Sequence, residues 1–257
     1  MTTSTAFRNL HLKNSAFVLI NVWDSASAAI VQKSGSSALA TSSASLAWAN
    51  GYAEGGALPR DILLSSISKI LRVCEVPLTV DIEDGYSDSP SEVAELVADL
   101  TSLGISGINI EDGVALPETL SEKISAIRRL VDRGSLFINA RTDVYLRELV
   151  DQKQLLSESI ARLERYIAAG ADGIFIPGLS TTSDISSVSS VIQAPLNIMI
   201  GSDSVNIEEL FDAGAIRLSL GPNSFLDAYS TLPIIVRKLL TGTVEDSITY
   251  DSLNALF

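Results

Sequence analysis

Leu78-Thr79-Val80-Asp81-Ile82-Glu83-Asp84-Gly85-Tyr86 is an apolar β-type run that ends in three acids within four residues. Carboxylates packed that closely repel one another, so the cluster favours no fold unless something positive is bound among them. One strand–helix unit later the pattern recurs, where Gly107-Ile108-Asn109-Ile110 runs into Glu111-Asp112-Gly113. Acid clusters at the ends of two successive strands suit a hard divalent cation, with Mg²⁺ the expected one. The plainer reading, helix N-caps and solvated turns, remains open at this point.

Outward from this stretch the chain repeats one unit. Short apolar runs at 17–22, 38–42, 78–83, 107–112, 137–142, 173–177, 197–200 and 215–220 each lead into a helical pattern, as Ile62, Leu63, Ile67, Ile70 and Leu71 do after Pro59. Leu103-Gly104, Ala169-Gly170 and Ala213-Gly214 close three of these helices with the glycine that a helix C-terminus favours. Runs apolar on both faces belong to a parallel sheet. Eight such units in 257 residues predict an α/β fold of the (β/α)₈ TIM-barrel type, since a doubly wound open sheet needs no eighth. No linker-like composition interrupts the alternation, so residues 1–257 are expected to form one barrel domain. Its tail, 241–257, carries Leu253, Leu256 and Phe257 and is expected to pack on the barrel or on a neighbouring subunit.

Composition narrows the partners. A net charge of −13 argues against nucleic acid and anionic membranes. No apolar run approaches the ~20 residues of a membrane helix, and no basic-then-apolar leader is visible. Cys74 is the only cysteine, which excludes a disulfide framework and fits a cytoplasmic protein.

In such a barrel the chemistry sits at the C-terminal ends of the strands. Those ends offer Asn21, Trp23 and Asp24, then Thr41, Ser42 and Ser43, then the two acid clusters, and then Asn139, Arg141 and Asp143, with Ser202, Asp203 and Asn223 after the later strands. No lysine stands there for a Schiff base, and His11 precedes the first strand. Strand side chains alternate, so Asp81 and Glu83 point the same way while Asp84 begins the turn. Asp81, Glu83 and Glu111 are therefore the expected metal set. Arg141 is placed to grip a substrate carboxylate with its planar fork; an ion pair with one of the acids is the alternative. Backbone amides and hydroxyls near Ser42 and Ser43 can hold the other end of a small anion, or be ordinary loop groups.

Asn21-Val22-Trp23-Asp24, Thr41-Ser42-Ser43, Asp81-Ile82-Glu83-Asp84-Gly85-Tyr86, Gly107-Ile108-Asn109-Ile110-Glu111-Asp112 and Asn139-Ala140-Arg141-Thr142-Asp143 together resemble the isocitrate lyase/phosphoenolpyruvate mutase superfamily, in order and spacing. The resemblance implies Mg²⁺ and a small 2-oxo carboxylate as substrate. It gives Asp81, Glu83 and Glu111 to the metal and its waters, the substrate carboxylate to Ser42 and Ser43, and the carboxylate or enolate end to Arg141. Trp23, Asp24, Gly85 and Asn139 complete the expected substrate-binding set. It also implies a homo-oligomer, typically a tetramer, with a C-terminal helix exchanged between subunits.

The chain departs from that family after the fourth strand. Lyases of the superfamily carry a Lys-Lys-Cys-Gly-His type loop there, and mutases carry lysine, asparagine and serine. Here the segment is Gly113-Val114-Ala115-Leu116-Pro117-Glu118-Thr119-Leu120. The chemistry left is decarboxylation of oxaloacetate, or cleavage of a related 2-oxo acid, through an enolate. Water, Tyr52 or Tyr86 would deliver the final proton, although a tyrosine with a pKa near ~10 is more often a packing group. Phosphonopyruvate hydrolase or mutase chemistry, and a catalytically weak 2-oxo acid binding protein, are the rival expectations.

Overall fold

A computed structural model describes residues 3–12, 16–201, 206–240 and 249–257. Strands β1 (Phe17–Val22), β2 (Leu39–Thr41), β3 (Leu78–Asp81), β4 (Gly107–Glu111), β5 (Phe137–Arg141), β6 (Gly173–Ile176), β7 (Leu196–Met199) and β8 (Arg217–Ser219) run parallel in chain order. β1 pairs with β8 through Phe17 opposite Arg217, which closes the barrel. The expected (β/α)₈ architecture is the one observed.

Alternation along each strand explains both layers. Val80 and Ile82, Ile108 and Ile110, Ile138 and Ala140, and Leu218 face outward into the core shared with the helices. That layer is covered by helices including α4 (Arg60–Leu71), α5 (Pro90–Leu103), α6 (Pro117–Leu130), α7 (Leu155–Ala169) and α8 (Thr182–Val191). The intervening inward residues are unusually polar: Thr79, Asn109, Asn139, Asn197, Arg217 and Ser219 are all buried. α1 (Thr3–Leu10) plugs the N-terminal end of the barrel. Its Phe7 packs edge-on against Phe137, and His11 stacks on the same ring at 4.1 Å. Burial there lowers the His11 pKa to about 3, so this imidazole is a neutral packing group remote from the strand tips.

The structure departs from the sequence reading at β3 and adds detail elsewhere. β3 ends at Asp81, two residues earlier than expected, because Glu83, Gly85 and Tyr86 all adopt left-handed backbone (φ 51°, 100° and 58°). The small-residue stretch after β2 forms α3 (Ser43–Ala49), capped by Ser42. Six of its seven residues are buried, so it shows no polar face for a periodicity argument to find. The last long helix is broken at Ser230 into α10 (Asn223–Tyr229) and α11 (Thr231–Leu240). Of the tail, residues 241–248 lie outside the described part, whereas α12 (Tyr250–Asn254) packs on this chain's own barrel through buried Leu253. No helix among the described residues is long and apolar enough to cross a membrane.

Candidate active site

The strand tips of β3, β4 and β5 build the site. Asp81 is fixed from below, its amide donating to Thr41 Oγ1 at 3.0 Å. Its carboxylate accepts from the amides of Glu83, at 3.2 Å, and Ser43. Gly85 permits the tight return to α5: its φ of 100° suits glycine, and a Cβ there would meet both Val93 methyls at 2.7 Å. The turn aims Glu83 into the mouth, where Oε2 accepts from the Gly56 amide at 2.6 Å. Glu83 Oε1 and the neighbouring Tyr86 hydroxyl are both buried without a hydrogen bond of normal geometry. Glu111 reaches in from β4 and pairs with Arg141 Nη1 at 2.7 Å.

The electrostatics report an excess of negative charge. Burial, then the charges of Asp81 and Glu54, push Glu83 up to about 7. Burial likewise raises Asp81, with Arg141 opposing it. Glu111 is pushed well above the carboxylate range by burial and by Asp143, Asp81 and Glu83, against the pull of Arg141. For Arg141, burial opposes the charge, but Glu111 and Asp143 more than offset it and hold the guanidinium protonated. Arg141 and Arg147 face Asp81, Glu83, Glu111, Asp143 and Glu54, which leaves the place short of positive charge, the condition a dication satisfies. Among the described residues no three acids close up into a ready-made coordination shell. Mg²⁺ does not require one, because it keeps several waters and takes few carboxylates directly. Glu83 Oε1, buried beside the Tyr86 hydroxyl with no hydrogen bond of normal geometry, is an oxygen of the type it binds.

The remaining expected site residues are distributed as follows. Glu83, Glu111 and Tyr86 line a cavity of ≈540 Å³, and Glu83, Glu111 and Arg141 line a second, adjoining one of ≈530 Å³. Ser43 Oγ donates to Glu54 Oε1 at 3.0 Å, so its hydroxyl is committed to a neighbouring acid, and Ser42 is the buried cap of α3. The structure places several others outside these two cavities. Asp24 forms a capping box with Ser27 at the start of α2 (Ser25–Lys33), and Trp23 packs edge-on against Phe225 at 4.9 Å; both line a separate hollow beside Lys69. Asn139 donates to Asn109 Oδ1 at 2.9 Å inside the barrel. Tyr52 lies against the outer core and lines neither cavity at the mouth. Gly85 acts through its conformation. Ser202 and Asp203 lie outside the described residues.

Arg141 is more deeply paired than the substrate-grip reading implied. Its Nε and Nη2 make a bidentate pair with Asp143 (2.6 and 3.1 Å), and Nη1 holds Glu111. Asp112, next to Glu111, is a structural hub that accepts from Thr142 Oγ1, the Asp143 amide, Arg162 and Tyr166. Sequence reasoning missed Glu54 and Arg147, which both line the second cavity. Glu54 is raised by burial, and Arg147 is anchored on Asp143 Oδ2 at 2.9 Å. An acid directly before Gly55-Gly56 in an aromatic-bearing loop was the available signal for Glu54. Lys123, a buried lysine on α6, donates to the Asp84 carbonyl at 2.8 Å and braces the same turn from behind.

Comparison with known proteins gives the family and the same fold. The chain is 34% identical over 221 residues to an uncharacterized protein of Mycobacterium tuberculosis (strain H37Rv), covering 84% of this chain and 81% of that one. It is 26% identical over 199 residues to the 2-methylisocitrate lyase of Escherichia coli K12, covering 74% and 67%. A crystal structure of a "putative phosphonomutase" from Burkholderia cenocepacia J2315 superimposes with a TM-score of 0.87 at 37% identity, covering 91% of this chain and 99% of the other. The profile of the phosphoenolpyruvate phosphomutase family matches residues 7–240. The chain belongs to that family, within the isocitrate lyase/phosphoenolpyruvate mutase superfamily of lyases and mutases.

Proposed function

We propose that the protein is a Mg²⁺-dependent lyase of the cytoplasm that acts on a small 2-oxo carboxylate, by decarboxylating an oxaloacetate-like acid or breaking an equivalent carbon–carbon bond. The observation that carries this reading is the gathering of Asp81, Glu83 and Glu111 at one mouth beside Arg141, with all three acids raised first by burial and with Glu83 and Glu111 raised further by neighbouring acids. When bound among them, Mg²⁺ would supply a Lewis acid for the oxo and carboxylate oxygens of the substrate. Arg141 spends three of its five N–H donors on Asp143 and Glu111 and keeps two for negative charge that develops as the bond to C3 breaks. Tyr86, its pKa raised by burial and then by Glu83, stays neutral and has a hydroxyl to donate. The segment Gly113–Ala115, which lines the first cavity, brings no acid, thiol or lysine of its own. That favours decarboxylation over reactions that need a second proton donor from that segment.

The test is a panel of 2-oxo acids and phosphonopyruvate assayed with Mg²⁺ for CO₂, pyruvate and phosphate. Release of CO₂ or pyruvate from a 2-oxo acid supports the proposal. Phosphate release transfers the site to phosphorus–carbon chemistry. A melting temperature raised by Mg²⁺ with oxalate, without turnover of anything, leaves a binding protein.

A further inference from the structure

The segment least expected to take part in catalysis reaches the site. Asn254, the last residue of α12, accepts two hydrogen bonds on one oxygen: from Trp48 Nε1 at 2.9 Å and from the backbone amide of Glu54 at 2.9 Å. The Glu54 side chain is meanwhile held by Ser43, at the start of α3. Two residues on, the Gly56 amide donates to Glu83 Oε2. Gly55 and Gly56 both have left-handed φ (105° and 82°) with open space around them, so nothing in their own packing fixes this short segment. Its position is set by its two ends: the Asn254 oxygen at Glu54 and the Glu83 carboxylate at Gly56.

The same helix also forms part of the cavity wall. Tyr250 sits edge-on to Trp48 at 5.2 Å and lines the cavity that holds Glu54, Arg141 and Arg147. Leu253 anchors the helix by packing with Trp48, Phe225 and Ala44. The geometry points to Asn254 as a positioning residue for the active site, acting through the Glu54–Gly56 segment on Glu83, with Tyr250 a specificity-determining wall of the cavity. This inference rests on the activity proposed for that cavity.

The experiment uses the full chain with Asn254→Leu, which removes the acceptor at similar size, and Asn254→Asp, which keeps it. In unliganded protein, amide exchange at Glu54 and Gly56 is expected to accelerate at least tenfold in Asn254→Leu and to return toward the wild-type rate in Asn254→Asp. Oxalate affinity in Mg²⁺, measured by calorimetry, should weaken about tenfold in Asn254→Leu and recover with the aspartate. KM should rise by a similar factor, with a smaller change in kcat. Tyr250→Ala, a change at a side chain 37% exposed, should raise KM severalfold while the melting temperature holds. Wild-type exchange and wild-type oxalate affinity in Asn254→Leu would overturn the assignment. Should Asn254→Leu fail to fold, an unchanged KM and oxalate affinity in Tyr250→Ala would overturn it. If the wild type itself neither binds oxalate nor turns over any acid, the functional reading fails, and the exchange rates alone judge the role of Asn254.

Discussion

Glu83 concentrates the argument at the scale of single residues. A non-glycine side chain in left-handed backbone costs roughly 1–2 kcal/mol, and here it belongs to a buried acid among other acids. Its pKa, raised from 4.5 to about 7, makes the folded state bind a proton that the unfolded state has released. By linkage that contribution to stability is complete below about pH 4.5 and is lost as the pH rises through about 7. The metal-free protein should therefore lose melting temperature across that window. Glu83→Gln should flatten the profile, and Mg²⁺ should restore stability mainly at the upper end. Differential scanning fluorimetry from pH 4.5 to 8, with EDTA and with Mg²⁺, is the measurement, and a wild-type profile as flat as that of the glutamine variant would remove the premise. Arg141 belongs to the same scale. The sequence alone suggests that Arg141→Lys would lose activity and melt unchanged. The structure, with Asp143 fully buried beneath a bidentate pair, changes that expectation. Lysine cannot reproduce the fork, so kcat/KM should fall on the order of a hundredfold. Unfolding free energy should fall too, by about 2 kcal/mol; cutting a buried pair outright costs roughly 3–5. An active variant with wild-type stability would contradict both statements.

Among the elements, the turn between β3 and α5 ties backbone to chemistry. Gly85→Ala imposes a left-handed φ on a residue with a Cβ and drives that carbon against Val93. The two costs together come to about 3 kcal/mol, read as a shift in the urea midpoint with an unchanged slope. A neutral Gly85→Ala would mean that the turn relaxes freely, and its control over the aim of Glu83 would go with it. Legibility in the sequence divides along similar lines. The strands, and the inward placement of Asp81, Glu111 and Arg141, are readable because alternation in a parallel barrel assigns each residue to one of two faces. Glu83 lies past the end of β3, and its left-handed turn, which alternation does not describe, aims it. The roles of Trp23, Asp24 and Asn139 are not readable either, because standing near a strand end does not say whether a side chain finds a helix cap, an aromatic neighbour or a barrel-interior amide first. Asn254 escapes for another reason. Its meaning lies in a hydrogen bond to the Glu54 amide, between residues 200 positions apart, which no local spacing encodes.

For the whole molecule, α11 poses the remaining question. None of its ten residues is buried, yet Leu232, Ile234, Ile235, Val236, Leu239 and Leu240 are all exposed, the last two by 79% and 78%. An apolar face of this size on a chain of net charge −13 is the kind of surface that an interface covers. Among the described elements its packing partner within the chain is α10. A second copy of this chain is the occupant that a homo-oligomer requires, and an isologous contact needs no additional partner. Light scattering behind size exclusion should therefore return the mass of two or more chains. Ile235→Glu combined with Leu239→Glu should reduce that to one chain while the barrel melts as a folded unit. Because α11 leads toward α12, which carries Asn254 and Tyr250, dissociation should also weaken oxalate binding in Mg²⁺. A wild type that runs as a single chain at micromolar concentration would instead leave α11 as a surface that this barrel tolerates uncovered.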